Sequence, residues 1–522
     1  MDDPDVGELI SRLRHKSISL WLEEDQLRYR TPKGSLTAQD ITALRERKPE
    51  IIKYLQRAAV PVKREPRLER RPPDARVPLS FSQRWLWNVW DLQRRTFRTV
   101  YVATSVTGPL DVEILQKCVD ELVRSHEPLR TRIVTVDGIP LQAIDAATCS
   151  ELDCVDLATI PPETRDTKAK QLIRGLIAER IDPAVGPLFV IKLLRLSDNE
   201  HILVAVLDHL IADGASVRIF LQALFTSYAR SLEQLPLSVT ESPVQFADFA
   251  WWQHETESHW TEKHGLFWEQ HLAGARRLRL SERLATPAVA SRAVTCPVAF
   301  GRELSDGLRD LSKREHTTLA LSVLTAYAAS LLRWCNQTDL VLPFTIAGRL
   351  KTEVDHTIGY FSCPLFLRLR VREGDTLLDL MRHVTEEYGE AYKHCDAGRI
   401  AAAVPSPSFE PNPSFNWLPL EFGGSPADFL QPHDAARLRQ SVRLQAFDIE
   451  DPYADIPLDH ESDREPALIM VDSEEGVTGS LAYVDTAMPM DDVKRFSATL
   501  RHFAERLLGQ PDALVTELAC IS

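Results

Sequence analysis

His209 and Asp213 lie four residues apart in the run Leu207-Asp208-His209-Leu210-Ile211-Ala212-Asp213-Gly214-Ala215-Ser216. Imidazole is the side chain whose ordinary pKa lets it accept a proton near neutral pH. On a tight turn after a buried strand, His209 would be held in one orientation and take the proton of an attacking amine or hydroxyl. Such general-base help is worth about 10²–10⁴ in rate. Asp213 is spaced to fold back and pin the turn, the more so with an arginine paired to it. Gly214 would let the backbone come close to a substrate, or adopt a dihedral that other residues avoid.

The surrounding elements must deliver that turn. Leu203 to Leu207 is a continuous apolar run, the mark of a strand buried on both faces, and it leads straight into Asp208-His209. Tyr101–Val106 reads as another strand. Asp111–Ser125 reads as an amphipathic helix with Leu115, Val119, Leu122 and Val123 on one side. Further on come a helical stretch from Glu303 to Arg333 broken near His316, strands at Asp339–Phe344, Leu468–Val471 and Gly479–Val484, and a helix over Met490–Leu508. Interleaved helices and strands predict an α/β architecture of two lobes. Their junction is expected near residues 240–280, with Trp251, Trp252, Trp260 and Trp268 as packing residues.

The first residues form a separate unit. Val6, Leu9, Ile10 and Leu13 sit at helical spacing. Ile18, Leu20 and Leu22 alternate with polar neighbours or Trp21, and Leu27 and Tyr29 alternate with Arg28 and Arg30. That is a β-hairpin around a polar turn. Thr37 is placed to cap a helix through Arg47, and Pro49 opens a short one through Tyr54. A lone hairpin is marginal, so helices must cover one face, and its open edge could pair with an extended peptide. Five prolines from Pro61 to Pro78, with several arginines between them, read as an extended tether. The boundaries expected are 1–58, a linker at 59–78, and lobes at 79–260 and 261–522.

Composition narrows the classes. The chain has 522 residues, 44% hydrophobic and 26% charged, with 61 Lys and Arg against 75 Asp and Glu for a net charge of −14. An acidic balance argues against a broad nucleic-acid surface. No run approaches the roughly 18 apolar residues of a membrane span, and the acidic start MDDPDVGELI is unlike a signal peptide. A cytoplasmic protein is expected. The eight cysteines are scattered without a CxxC pair, so neither a metal site nor a disulfide framework is predicted. No phosphate-binding G-x-x-x-x-G-K loop occurs.

The central run resembles the HHxxxDG motif of nonribosomal peptide synthetase condensation domains, relatives of chloramphenicol acetyltransferase. Other signatures follow in order. Leu79-Ser80-Phe81-Ser82-Gln83-Arg84-Trp85-Leu86-Trp87 is similar to the opening S-x-x-Q-x-R-L-W. Ser125-His126-Glu127-Pro128-Leu129-Arg130-Thr131 is similar to R-H-E-x-L-R-T, and Phe246-Ala247-Asp248-Phe249-Ala250-Trp251-Trp252 to Y-x-D-F-A-x-W. Ala347-Gly348-Arg349 with Ile358-Gly359-Tyr360-Phe361 matches the G-R and I-G-x-F pair, and His394-Cys395-Asp396 echoes H-Q-D. The resemblance spans 79–522. It implies two acetyltransferase-like lobes in a V with a central tunnel and His209 at its middle. An acyl chain would arrive on the phosphopantetheine arm of a donor carrier protein and pass to an amine or hydroxyl. The chain itself would bind no cofactor, nucleic acid or membrane. Asp213 would be structural with Arg130 as its ion-pair partner, Gly214 N–H would face the developing oxyanion, and Asp208 and Ser216 would support the site.

Residues 1–58 resemble the β-hairpin docking domains of assembly-line synthetases, the type first named for the tubulysin system. The resemblance rests on LEEDQLRYRTPKGSLT and implies binding of a short acidic tail on an upstream carrier, with Arg28, Arg30, Lys33, Lys48 and Lys53 as contacts. Departures leave alternatives open. Asp208 replaces the motif's first His, and Cys363 stands where the family usually has Asn. Asp208, Asp213 and Ser216 also fit the D-x-x-x-x-D-x-x-S pattern of heterocyclisation domains, although those usually lack the His. A degenerate carrier-binding module and a CoA-dependent acyltransferase are the other readings, and an epimerase has less support. No adenylation or carrier domain occurs before Ser522, and if the chain is the whole protein it resembles stand-alone, chain-releasing enzymes of the enacyloxin type. In a larger synthetase the acceptor would instead be carrier-bound.

Overall fold

The computed structural model describes residues 19–23, 26–30, 42, 44, 47–48, 51–52, 66–89, 99–146, 152–179, 181–235, 244–275, 291–395, 413–418, 425–449, 457–458, 466–473, 475–484 and 488–517. They fall into two compact units, Met1–Arg67 and Leu68–Ser522. In the first, β1 (Ser19–Glu23) pairs antiparallel with β2 (Gln26–Arg30), Leu22 opposite Leu27 and Ser19 opposite Arg30. This is the hairpin that the period-two pattern predicts. Ile51 N donates to Arg47 O at 2.9 Å, and Leu44 and Ile51 are buried. The helix expected over 5–14, its counterpart's cap Thr37, and Lys33 and Lys53 lie outside the described residues.

The second unit is mixed α/β, as predicted. Its first sheet is built on β4 (Thr99–Thr107), β7 (Asp153–Asp156), β8 (Phe189–Ser197) and β9 (Glu200–Asp208), in the order β4-β9-β8-β7. The apolar run that ends at Leu207 is continuous because both faces of β9 are covered. Leu203, Ala205 and Leu207 join the main core, while Ile202, Val204 and Val206 pack with Ile173 and Ile177 of the helix Pro162–Ala178. The second sheet is built on β10 (Ser291–Gly301), β11 (Asp339–Ile346), β12 (Cys363–Arg370), β13 (Ser414–Leu418), β15 (Pro457–Leu458), β16 (Ala467–Ser473) and β17 (Gly476–Val484), in the order β12-β11-β13-β16-β17-β10-β15. The long helical stretch does break where expected. Arg302–Arg314 ends before His316, which takes φ 54°, and Leu319–Cys335 begins behind the Thr318 cap. Trp252, Trp260 and Trp268 are core residues, as their segment predicts, and Trp251 is half-buried. Among the described residues no single helix is long and apolar enough to cross a membrane.

Two features depart from the reading by sequence. The chain does not keep its halves apart at residue 260. Strand β14 (Arg443–Ala446) returns to the first sheet and pairs antiparallel with β4, Leu444 opposite Val106. A Cβ on Gly108 would lie 2.2 Å from Ser441 O, so that approach requires glycine. The Pro/Arg-rich run is also not a tether to residue 78. Leu68 is buried, and β3 (Val77–Pro78) pairs with β6 (Ile139–Ile144). Arg71 clamps two other motifs. Its Nη1 donates to Asp248 Oδ1 at 2.6 Å and its Nη2 to Glu127 Oε1 at 3.2 Å. Asp248 is buried, and such a carboxylate is held only by charge-assisted partners. Gln245 joins the same knot by accepting from Glu127 N at 3.0 Å.

Arg71→Ala leaves Asp248 without its guanidinium and should lower stability by about 3 kcal/mol, whereas Arg76→Ala, at an exposed position, should stay within about 0.5 kcal/mol of the parent. Denaturant unfolding of both variants checks this, and equal midpoints would return residues 68–78 to the status of a solvated tether.

Candidate active site

Strand β9 ends at Asp208, whose N–H donates to Leu188 O at 2.8 Å. The chain then turns. Ile211 N donates to Asp208 O at 3.0 Å and Leu210 N to Asp208 Oδ1 at 2.8 Å. Asp208 is thus a buried turn former, consistent with alternation along the strand placing it and His209 on opposite sides. His209 is half-buried and its Nδ1 lies 3.0 Å from Ala212 O. A carbonyl oxygen only accepts, so Nδ1 carries a hydrogen, and in the neutral ring Nε2 carries the lone pair. The ring of Tyr360 leans on the imidazole with centroids 5.4 Å apart. Burial pushes the Tyr360 phenol up, and Cys363 and Asp213 add to that, so it stays protonated.

Asp213 closes the turn as the N-cap of the helix Gly214–Leu232, which makes Gly214 the helix's first residue. Its carboxylate is fully buried and saturated with donors. Oδ1 accepts from Ser216 N at 2.9 Å and from Ser216 Oγ at 2.8 Å. Oδ2 accepts from Arg349 Nη1 at 2.8 Å, Phe361 N at 3.1 Å and Ser362 N at 3.2 Å. Burial alone would push this carboxyl up. The charge and hydrogen bond of Arg349, with those of Ser216, more than reverse that and hold it below the usual carboxylate range. The partner expected for Asp213 was Arg130, and the structure corrects this. Arg130 Nη1 donates to Asp145 O at 2.7 Å instead. Arg349 belongs to the G-R motif beyond β11, so the signal was present in the sequence, but the pairing spans 136 residues.

Ser216 takes its predicted supporting place and does more. Its hydroxyl accepts from Arg349 Nη2 at 3.1 Å and Gly359 N at 3.0 Å, and its hydrogen serves Asp213 Oδ1 or Gly359 O, each at 2.8 Å. Arg349 also stacks over Phe361 with its guanidinium carbon 4.4 Å from the ring centre. Gly359 fits here because a Cβ would lie 2.2 Å from the Phe246 ring, which Phe361 holds edge-on at 4.9 Å. The I-G-x-F and F-A-D-F motifs thus meet by close packing. Cys363 is buried, with its Sγ 3.7 Å from Cys395 Sγ. Of the docking candidates, Arg28 and Arg30 lie on β2, opposite Trp21 and Ser19, and Lys48 is exposed.

Arg349→Ala should cost about 3–5 kcal/mol at neutral pH, because it strands a buried carboxylate. The sign follows from linkage. Asp213 has a depressed carboxyl in the folded protein, so its contribution is complete above the unfolded value near pH 4 and is lost as pH falls through the folded one. Without Arg349, burial is opposed only by the hydrogen bonds of Ser216, Phe361 and Ser362, and the carboxyl rises. Wild type and variant should therefore differ fully at pH 7 and converge only as pH falls through the depressed folded value of Asp213, as unfolding experiments from pH 7 into that acid range would test.

Comparison with known proteins bears on this arrangement. Residues 74–522 match the Condensation domain family model, and residues 6–57 match that of the TubC N-terminal docking domain. A linear gramicidin synthase polypeptide of Brevibacillus parabrevis is 29% identical over 456 residues, 85% of this chain. The chain spans 9% of that relative's length, and 6% and 4% of two further linear gramicidin synthase polypeptides of the same organism. Among solved structures, the X-domain from teicoplanin biosynthesis aligns at TM-score 0.73 and 23% identity, over 87% of this chain and all of that one. The condensation domain of chain release from the enacyloxin polyketide synthase aligns at TM-score 0.66 and 18% identity, over 97% of each chain. With the saturated Asp213 carboxylate and the oriented His209 in their motif positions, and the family match covering residues 74–522, this chain belongs to the condensation-domain family.

Proposed function

We propose that the protein transfers an acyl chain from the phosphopantetheine thioester of a donor carrier protein to an amine or hydroxyl, forming an amide or ester. The observation that carries this reading is the His209 Nδ1 contact with Ala212 O, which leaves Nε2 as the proton-accepting nitrogen. The nucleophile's N–H or O–H faces Nε2 and its heteroatom attacks the thioester carbonyl carbon. The proton passes to Nε2 as the new C–N or C–O bond forms. Collapse of the tetrahedral species breaks the C–S bond, and the imidazolium returns the proton to the departing sulfur. Gly214, at the start of a helix, has a backbone N–H with no partner inside the helix, and it serves as a donor to the oxyanion. Asp213 and Arg349 hold the loop and do no proton chemistry. Asp208 is a turn former and Asp213 is ion-paired with Arg349, so no specific observation favours heterocyclisation.

The donor is recruited through the hairpin. An extended acidic tail of the carrier adds as a strand to the β1–β2 ribbon, and Arg28, Arg30, Lys33, Lys48 and Lys53 meet its charge. The fold shared over 97% of each chain with the condensation domain of chain release from the enacyloxin polyketide synthase is in keeping with a chain-releasing step here, the acyl chain passing to a free acceptor.

Intact-mass spectrometry of an acyl-loaded carrier, incubated with a panel of free amines, alcohols and a carrier-bound aminoacyl acceptor, tests the reading. Acyl loss with appearance of an ester or amide is expected with wild type, and His209→Ala should slow it by about 10²–10⁴ without a change in melting temperature. Equal rates would remove His209 from the chemistry. Deleting residues 1–58 should weaken carrier binding by about 10²-fold, since two linked contacts become one. Undiminished carrier affinity would refute the docking role.

A further inference from the structure

The opening motif, which the proposed reaction does not use, reaches the catalytic turn. Gln83 is fully buried on the helix Phe81–Val89. Its Oε1 accepts from Ser80 N at 2.8 Å, and a backbone N–H can only donate, so the amide orientation is fixed. Nε2 therefore faces outward as the donor, 2.6 Å from Leu210 O and 3.4 Å from Gln142 Oε1. Gln142 is itself held, its Nε2 donating to Pro78 O at 2.8 Å. The backbone of Leu210 is thus gripped at both ends, the C=O of its peptide with Ile211 by Gln83 and the N–H of its peptide with His209 by Asp208 Oδ1 at 2.8 Å. Leu210 follows His209 directly, and two residues on is the carbonyl that fixes the imidazole.

We propose that Gln83 and Asp208 are positioning residues for His209, acting as a two-sided clamp on the two peptide groups flanking Leu210 that keeps Ala212 O beneath Nδ1. The clamp sets which ring nitrogen carries the hydrogen as well as where the ring lies. It also gives Asp208 a role that depends on an acceptor oxygen two atoms beyond the backbone. Without the clamp the 209–212 turn can rotate its peptides, the Nδ1 contact loosens, and the imidazole populates both tautomers. In the wrong tautomer Nε2 carries a hydrogen and cannot accept the nucleophile's proton. Displacing a reacting group by about 1 Å costs on the order of 10²-fold in rate.

The inference rests on His209 as the proton acceptor proposed above, so the test has an arm that needs no substrate. In full-length protein labelled with ¹⁵N-histidine, with the His209 resonances assigned by their loss in His209→Ala, wild type should show Nδ1–H and an unprotonated Nε2. Gln83→Ala and Asp208→Ala should show a tautomer mixture. In acyl transfer from a loaded carrier, both should lose kcat by about tenfold or more with KM changed less than about twofold. Asp208→Asn keeps an acceptor for Leu210 N–H and should recover most of the kcat lost in Asp208→Ala. If Gln83→Ala or Asp208→Ala unfolds, Gln83→Met and Asp208→Leu, which keep side-chain volume but lose the contact, carry the comparison. Unmoved tautomers in folded Gln83→Ala and Asp208→Ala overturn the clamp. So does an Asp208→Asn variant as impaired as Asp208→Ala, which would make the role one of charge. Shifted tautomers with unchanged kcat would instead remove His209 from the chemistry and leave the clamp standing.

Discussion

The carboxylate of Asp213 is where the two halves of the second unit and its reactive turn become one problem. Taking an ionised carboxylate out of water costs several kcal/mol unless every lone pair meets a donor. Here those donors come from distant places in the sequence: Ser216 at the helix start, Arg349 beyond β11, and the backbone of Phe361 and Ser362 just before β12. None of these contacts is worth forming alone, since each would leave the charge partly unsatisfied. Together they hold the loop that carries His209 against the second half of the unit. The ion pair therefore acts first on geometry, and its effect on the reaction passes through the backbone.

That arrangement separates two kinds of order in the turn. Asp213 and its partners fix where the turn ends, while contacts at Asp208, Leu210 and Ala212 fix how it is wound. The imidazole needs both, because its proton-accepting nitrogen is defined only by what the other nitrogen touches. The packing beneath is equally strict in its demands. Gly359 must be a glycine for Phe246 to lie against the chain there, and Phe246 in turn packs on Phe361, over which Arg349 stacks.

Most of the scaffold was legible because its signals are local. The buried β9, the break at His316, the hairpin and the tryptophan core all follow from spacing within a few residues. The Asp213 partner was not legible that way. Arg130 and Arg349 both sit in recognisable motifs, and it is the connection between β11 and β12, where Arg349 also donates to Thr357 O, that brings Arg349 to the carboxylate. Arg71 was missed for a related reason. It is one of several arginines in a proline-rich run, and nothing in that run distinguishes it from solvated Arg76. Its distinction comes from Asp248 and Glu127, far along the chain. Strand β14 is only four residues long and follows a helix, so its pattern has no period to read.

The return of β14 has an effect on how this architecture can be recombined. The strand completes a sheet whose other members all precede residue 209, so the linear sequence does not divide where the sheets do. A chimera joined near residue 260 would carry a foreign strand along the edge of β4, with Ser441 pressed against the glycine at 108. Grafting one half of a condensation domain onto another is thus also a strand exchange. The piece that must travel with the first half includes residues 425–449, which lie far downstream of the apparent junction.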